Sequence, residues 1–198
     1  MMNLSAAILA GGKSSRMGTT KAFVEVHSCR IIDHAIDELK QVSNDIMIVT
    51  NSVEEYSHLG IRLVKDIVPG LGPLSGIHSA LVHAEMPQVL IVACDMPFIE
   101  AQLANLLAKY SLHYDVVIPR VEGYFEPLFA VYNKSCIQHI EKCIGQGGKL
   151  RVVDFFSYVK VKYVNEDEIS QVADLERVFY NVNTPKELAL AKKLAEGK

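Results

Sequence analysis

Strand-length apolar runs alternate along this chain with segments whose apolar residues recur at helical spacing, and that alternation limits the fold to an α/β domain with a mostly parallel sheet. Ala6–Ala10 reads as a buried strand. Ile31, Ile32, Ala35, Ile36, Leu39 and Val42 then mark a helix, and Ile46–Thr50 a second strand, completing one βαβ unit. Ser52 with Glu55 fits a capping box opening a short helix that Gly60 ends, before a third strand at Ile61–Val64 leads to Asp66. A glycine- and proline-rich loop, Gly72-Pro73-Leu74-Ser75-Gly76, precedes a helix running to about His83. The most apolar run, Val89–Ala93, follows and reads as the central strand.

Beyond Cys94-Asp95-Met96-Pro97, Leu103, Leu106, Leu107 and Tyr110 mark another helix, and Val116–Ile118 and Leu128–Tyr132 two more strands. Gly145, Gly147 and Gly148 break the helix that follows Lys134, and Val159–Val164 reads as an edge strand. Thr184 with Glu187 makes a second capping box, with Pro185 at the first helical position. No linker, repeat or compositional shift divides residues 1–198, which are expected to form a single domain.

Composition narrows the function. A net charge of −3 gives no general attraction to nucleic acid, and the aromatic residues are not interleaved with a basic tract, so no nucleic-acid partner is expected. No apolar run has the length of a membrane span, and the start lacks the basic flank and apolar stretch of a signal peptide, which points to a cytoplasmic protein without a membrane partner. Cys29, Cys94, Cys136 and Cys143 form no C-x-x-C pair and read as reduced thiols. The seven histidines show no metal-ligand spacing, and no G-x-S-x-G nucleophile motif is present.

The chemistry concentrates in Leu9-Ala10-Gly11-Gly12-Lys13-Ser14-Ser15-Arg16-Met17-Gly18-Thr19-Thr20-Lys21, directly behind the first strand. Glycines let a backbone turn its N–H groups toward an anion, and Lys13, Arg16 and Lys21 add formal charge, so the segment reads as a triphosphate cradle. Neither the P-loop spacing nor the dinucleotide fingerprint fits it. In open α/β sheets ligands bind beyond the carboxyl ends of the strands, where Asn51 and Asp95 also fall. A carboxylate beside bound phosphates calls for a counter-charge, and Mg²⁺ supplies one by bridging the two.

The cradle resembles the L-A-G-G-x-S-x-R-M-G…K signature of the molybdenum cofactor guanylyltransferases. Ala93-Cys94-Asp95-Met96-Pro97-Phe98 is similar to that family's metal-binding motif, and Asp66 with Gly72-Pro73-Leu74-Ser75-Gly76 to its D…G-P-L-x-G-I pattern. Asn181-Val182-Asn183-Thr184-Pro185 is similar to its N-x-N-T-P motif, with both amides on one side of an extended segment. The likeness runs in order along nearly the whole chain, departing at Thr20, where the family often has aspartate, and at Ser28-Cys29-Arg30, where it often has a Gly-x-Pro turn.

The resemblance implies a single-domain Rossmann-like, three-layer α/β/α nucleotidyltransferase fold. It implies transfer of GMP from GTP to the molybdopterin cofactor with release of pyrophosphate. Mg²⁺ would sit on Asp95, and Lys21, Arg16 and Asp95 would be catalytic. Leu9, Ala10, Gly11, Gly12, Lys21, Asn51, Asp66, Gly72, Gly76 and Asp95 would bind the nucleotide, with Gly70 beside them. Arg120, Glu126, Asn181 and Asn183 would lie on the acceptor side. Transient contact with cofactor-biosynthesis proteins or molybdoenzymes would follow. A cytidylyltransferase on the same cofactor, a sugar-phosphate nucleotidyltransferase and a non-catalytic carrier are the competing readings; Gly11 after Ala10 favours guanine, because cytidylyl relatives usually carry L-A-A-G.

Overall fold

The computed structural model describes residues 4–11, 21–26, 28–147 and 150–197. Among them, strands β1 (Leu4–Leu9), β4 (Asp45–Val49), β5 (Arg62–Val64), β6 (Gln88–Ala93), β7 (Val116–Val121), β9 (Phe129–Asn133) and β10 (Val161–Asn165) form one sheet in the order β10-β7-β9-β6-β1-β4-β5. Strand β8 (Tyr124–Phe125) pairs with β7, and β2 (Glu25–Val26) with β3 (Cys29–Arg30) makes a separate small hairpin. The most apolar strand, β6, is the fourth of the seven, as its composition predicts.

Every pairing among β10, β7, β6, β1, β4 and β5 is parallel, whereas β9 runs antiparallel between β6 and β7. The reversal follows from the connection. A parallel return needs a crossover of a dozen or so residues, and the chain from β7 reaches β9 through the short turn that holds β8.

Helices α1 (Ile31–Lys40), α3 (Pro73–His83), α4 (Ala101–Tyr110), α5 (Ile137–Gln146) and α8 (Pro185–Glu196) flank the sheet, with the one-turn helices α2 (Val53–Tyr56), α6 (Glu166–Ile169) and α7 (Leu175–Val178) between them. Alternation along each strand sends side chains to both faces. Ala6 and Ile8 of β1 and Leu90 and Val92 of β6 pack with Ile32, Leu39, Leu103 and Leu107 on one face. Ala7, Leu9, Val89 and Ile91 pack with Leu74, Ile77, Leu81 and Ile140 on the other. These two cores make the three-layer arrangement. A third, smaller cluster of Val26, Ile31, Phe98, Val182, Ala191 and Ala195 seats α8.

Three local expectations are corrected. Ser52 makes no side-chain cap to α2; its N–H donates to Thr50 Oγ1 instead (3.1 Å). The segment from Pro73 to Gly76 is already the first turn of α3, because Pro73 at the first helical position is pre-set for a helix. Gly145 lies inside α5, and Gly147 (φ 72°) is the residue that ends it; Gly148 lies outside the described residues.

At the amino end of the sheet Asp45 ties the layers together. Its carboxylate accepts from the Ser5 hydroxyl, from Arg62 Nη2 (2.5 Å) and from the Glu85 N–H (2.9 Å). Burial pushes this carboxyl up, but the Ser5, Glu85 and Arg62 donors outweigh it and hold the group below its ordinary value.

Candidate active site

At the opposite, carboxyl end of the strands the chain leaves the sheet in loops that surround a cleft of about 870 Å³. The last ladder bonds position its floor: Ala10 N donates to Val49 O (2.9 Å), Cys94 N to Leu9 O (3.2 Å) and Thr50 N to Val64 O (2.8 Å). Beyond those bonds the parallel ladder ends, and polar side chains carried by the next residues face one space. Leu9, Ala10, Gly11, Lys21 and Asp95 line the cleft from the ends of β1 and β6, and Asn51, Asp66, Gly70, Gly72 and Gly76 from the ends of β4 and β5 and the start of α3. The rest of the cradle, Gly12, Lys13 and Arg16 with its neighbours through Thr20, lies outside the described residues.

Asp66 and Asn51 are locked to each other. Asn51 Nδ2 donates to Asp66 Oδ2 (2.8 Å), and the Asp66 N–H donates to Asn51 Oδ1 (3.2 Å). The loop from Asp66 to Gly72 is pinned by two serines of α3: Ile67 N donates to Ser79 Oγ (2.8 Å), Ser75 Oγ to Val68 O (2.6 Å) and Leu71 N to Ser75 Oγ (3.0 Å). Both serines are buried, so their hydroxyls are confined to these partners. Gly72, the N-cap of α3, adopts φ 61°, a left-handed conformation that favours glycine. Gly76 is glycine for another reason, since a Cβ there would meet Leu9 Cδ1 and Cδ2 at 3.1 Å.

Lys21 opens a short 3-10 turn anchored by buried Ala22. Its Nζ donates to Asn183 Oδ1 (2.6 Å) and lies 3.8 Å from Asp95 Oδ2. Burial lifts the Asp95 carboxyl above its ordinary value; Lys21 opposes the rise and Glu187 adds to it. The carbonyl of Asp95 accepts from Val182 N (2.9 Å), which clamps the 181–184 segment onto the end of β6. Asn183 is therefore joined to the cleft through Lys21, while Asn181 Nδ2 donates to Phe179 O (2.9 Å).

Arg120 and Glu126 stand apart from the cleft lining. Arg120, at the end of β7, donates to Asn165 Oδ1 (3.0 Å) and covers the Tyr163 ring at 5.7 Å. Glu126 is half-buried beside Leu128, which does line the cleft, and burial pushes its carboxyl up.

Several lining residues are not read as site residues in the sequence. Tyr56 and Glu55 reach the cleft from α2, and Phe23 packs on Tyr56 at 5.1 Å between ring centroids. Cys94 lines it as well, with burial and the neighbouring Asp95 charge raising its thiol to about 12. Cys94 could have been suggested by its place beside Asp95 at the end of β6, whereas Glu55 and Tyr56, on α2, carry no site signal beyond the capping pattern.

Among the described residues no three His, Cys, Asp or Glu side chains converge as a metal cage. The donor set suits a hard cation that arrives with a phosphate ligand, since Mg²⁺ commonly uses one or two carboxylates plus phosphates and waters. Asp95, which lines the cleft at the end of β6, is a carboxylate that could serve in this way.

Residues 6–161 match the family described as MobA-like NTP transferase domain. Over 196 residues the chain is 44% identical to a probable molybdenum cofactor guanylyltransferase of Pelotomaculum thermopropionicum, covering 99% of this chain and 95% of that protein. It is 39% identical over 185 residues to one of the same description from Carboxydothermus hydrogenoformans, 93% of each. The crystal structure of molybdopterin-guanine dinucleotide biosynthesis protein A from Archaeoglobus fulgidus superposes with a TM-score of 0.83 at 25% identity, covering 98% of this chain and 100% of that one.

Proposed function

Because the chain belongs to the MobA-like NTP transferase family, we propose that it is a molybdenum cofactor guanylyltransferase, joining GMP from GTP to the phosphate of the molybdopterin cofactor and releasing pyrophosphate. The observation that carries this reading is the convergence of Lys21, Asp95 and the Asn51–Asp66 pair on one cleft at the carboxyl end of the sheet.

Nucleotidyl transfer needs no covalent nucleophile; it needs two anions held in line and the charge developing on the leaving group met by fixed cations and N–H groups. The backbone at Gly11 is open enough for phosphate to approach, with no atom of the described residues within 4 Å of where a Cβ would stand. Lys21, on a long stem, reaches the β- and γ-phosphates and takes up the negative charge that passes to pyrophosphate. Asp95 would hold Mg²⁺, which when bound neutralises phosphate oxygens and polarises the phosphorus under attack. The Asp66 carboxylate, oriented by Asn51, can accept from the N1–H and 2-amino groups of guanine, and Gly70 and Gly72 leave room for the base edge. Arg16 would add a second cation from the cradle. The acceptor would lie toward β9 and β7, where Glu126 and Arg120 stand.

Steady-state assays of pyrophosphate release from GTP, CTP, ATP and UTP, with and without molybdopterin cofactor, test the proposal. Release from GTP that depends on the cofactor supports it. Release from CTP would make the protein a cytidylyltransferase, and binding of nucleotide and cofactor without release would make it a carrier.

A further inference from the structure

Lys21 is not left to find its phosphate unaided. Its ammonium is held at 2.6 Å by Asn183 Oδ1, and Asn183 is itself held, its backbone N–H donating to Glu187 Oε2 at 2.6 Å. In an ordinary capping box the carboxylate three residues into the helix accepts from the N-cap N–H. Thr184 is the N-cap of α8 and its hydroxyl does accept from Glu187 N (3.2 Å), yet the Glu187 carboxylate reaches one residue further upstream, to Asn183. Its backbone carbonyl also accepts from the Tyr180 hydroxyl (3.0 Å), so Glu187 is tied to the segment at both its main chain and its side chain. The same segment is joined to the end of β6 by Val182 N and Asp95 O.

We infer that Asn183 and Glu187 are positioning residues for Lys21, the carboxylate fixing the asparagine and the asparagine amide oxygen aiming the ammonium into the cleft. The physical case is entropic. A free lysine side chain samples many rotamers and loses that freedom when it clasps a phosphate. One already held by a neutral amide beside Asp95 has lost most of it before the nucleotide arrives, and can pass from Asn183 to a phosphate oxygen by a short movement. A neutral acceptor suits the task, because a carboxylate in its place would compete with the phosphate for the charge.

This inference rests on the reading of Lys21 as a phosphate ligand, and the test separates the two. GTP binding is measured by calorimetry in EDTA, so that no metal contributes, for the intact chain and for Lys21→Ala, Asn183→Ala, Glu187→Ala, Glu187→Gln and the double variant Lys21→Ala/Glu187→Ala. Thermal unfolding of each is recorded alongside. Loss of one charge-assisted hydrogen bond corresponds to a weakening of roughly tenfold, expected for Lys21→Ala, Asn183→Ala and Glu187→Ala alike. Glu187→Gln should stay within about threefold, because an amide oxygen still accepts the Asn183 N–H. The double variant should bind no more weakly than Lys21→Ala, as expected when one residue acts through the other. Glu187→Ala binding like the parent, or a double variant that loses the product of the two single effects, would overturn the inference. Unchanged binding in Lys21→Ala would instead overturn the phosphate role of Lys21. If Glu187→Ala does not fold, the same cycle run with Asn183→Ala decides the matter.

Discussion

Replacing Asp45 by alanine should destabilise the fold while leaving the chemistry intact. Asp45 is 9% exposed and accepts from three donors: the Ser5 hydroxyl, Arg62 Nη2 at 2.5 Å and the Glu85 N–H at 2.9 Å. After truncation Ser5 Oγ still receives Met86 N (3.0 Å), and Arg62, whose side chain is 39% exposed, rehydrates and keeps its bond to His83 O. The Glu85 N–H and the Ser5 hydroxyl proton lose their acceptor. The buried Ser5 hydroxyl left without its acceptor costs ~1–3 kcal/mol, while the Glu85 N–H, on an exposed residue, and the screened Arg62 pair add little, so the whole loss is about 2 kcal/mol. At ~2–4 °C per kcal/mol for a chain of this size, Tm should fall by about 4–8 °C.

The acid side of the stability curve provides a second readout. The folded-state carboxyl lies below its unfolded value, so its contribution is fully present above the unfolded pKa near 4 and is lost as pH falls through the folded value. The difference between parent and Asp45→Ala, read by urea denaturation, should therefore be largest at neutral pH and shrink below about pH 4. Because the clasp lies at the end of the strands away from the cleft, turnover at a temperature where the variant is folded should be unchanged. A loss under ~0.5 kcal/mol, or one that does not shrink in acid, would mean that the Asp45 clasp does not stabilise the fold in this way.

Other outcomes follow from the site. Lys21→Ala and Asp95→Ala should each abolish turnover while the far-UV circular dichroism and Tm stay near those of the parent; parental rates in either would remove the residue from the mechanism. Cys94 and Cys136, their thiols raised to about 12 by burial, should react with a maleimide at pH 8 far more slowly than exposed Cys29. Mass spectrometry of a brief labelling reaction should find the adduct on Cys29 first. Asp66→Ala should reduce the preference for GTP over ATP in a competition binding experiment if, as proposed, its carboxylate accepts from the guanine edge.

The layers were legible because they depend on periodicity. The strand spacing of Val89–Ala93 and the helical spacing of Ile32, Ala35 and Leu39 report burial on one or two faces, and the structure places them accordingly. The antiparallel course of β9 was not legible, since apolar content does not encode direction; only the shortness of the link through Tyr124 and Phe125 does. Of the cleft lining, Leu9, Gly11, Lys21, Asn51 and Asp95 were readable because strand ends and glycine-rich turns are where an open α/β sheet exposes backbone and polar side chains, while Asp66 was readable only through the family resemblance. Ser75, Ser79 and Glu187 were not. Their roles rest on hydrogen bonds across helix termini and loops, and sequence spacing supplies a capping partner for Glu187 without showing that its carboxylate bonds Asn183.

Guanylyl transfer is tested most directly by pyrophosphate release with GTP and the molybdopterin cofactor both present, followed by mass spectrometry of the product. Stoichiometric pyrophosphate and a cofactor heavier by one guanylyl group, GMP less water, are expected, with CTP, ATP and UTP inert. Pyrophosphate released from another nucleotide in preference to GTP, or none from any, would contradict guanylyl transfer.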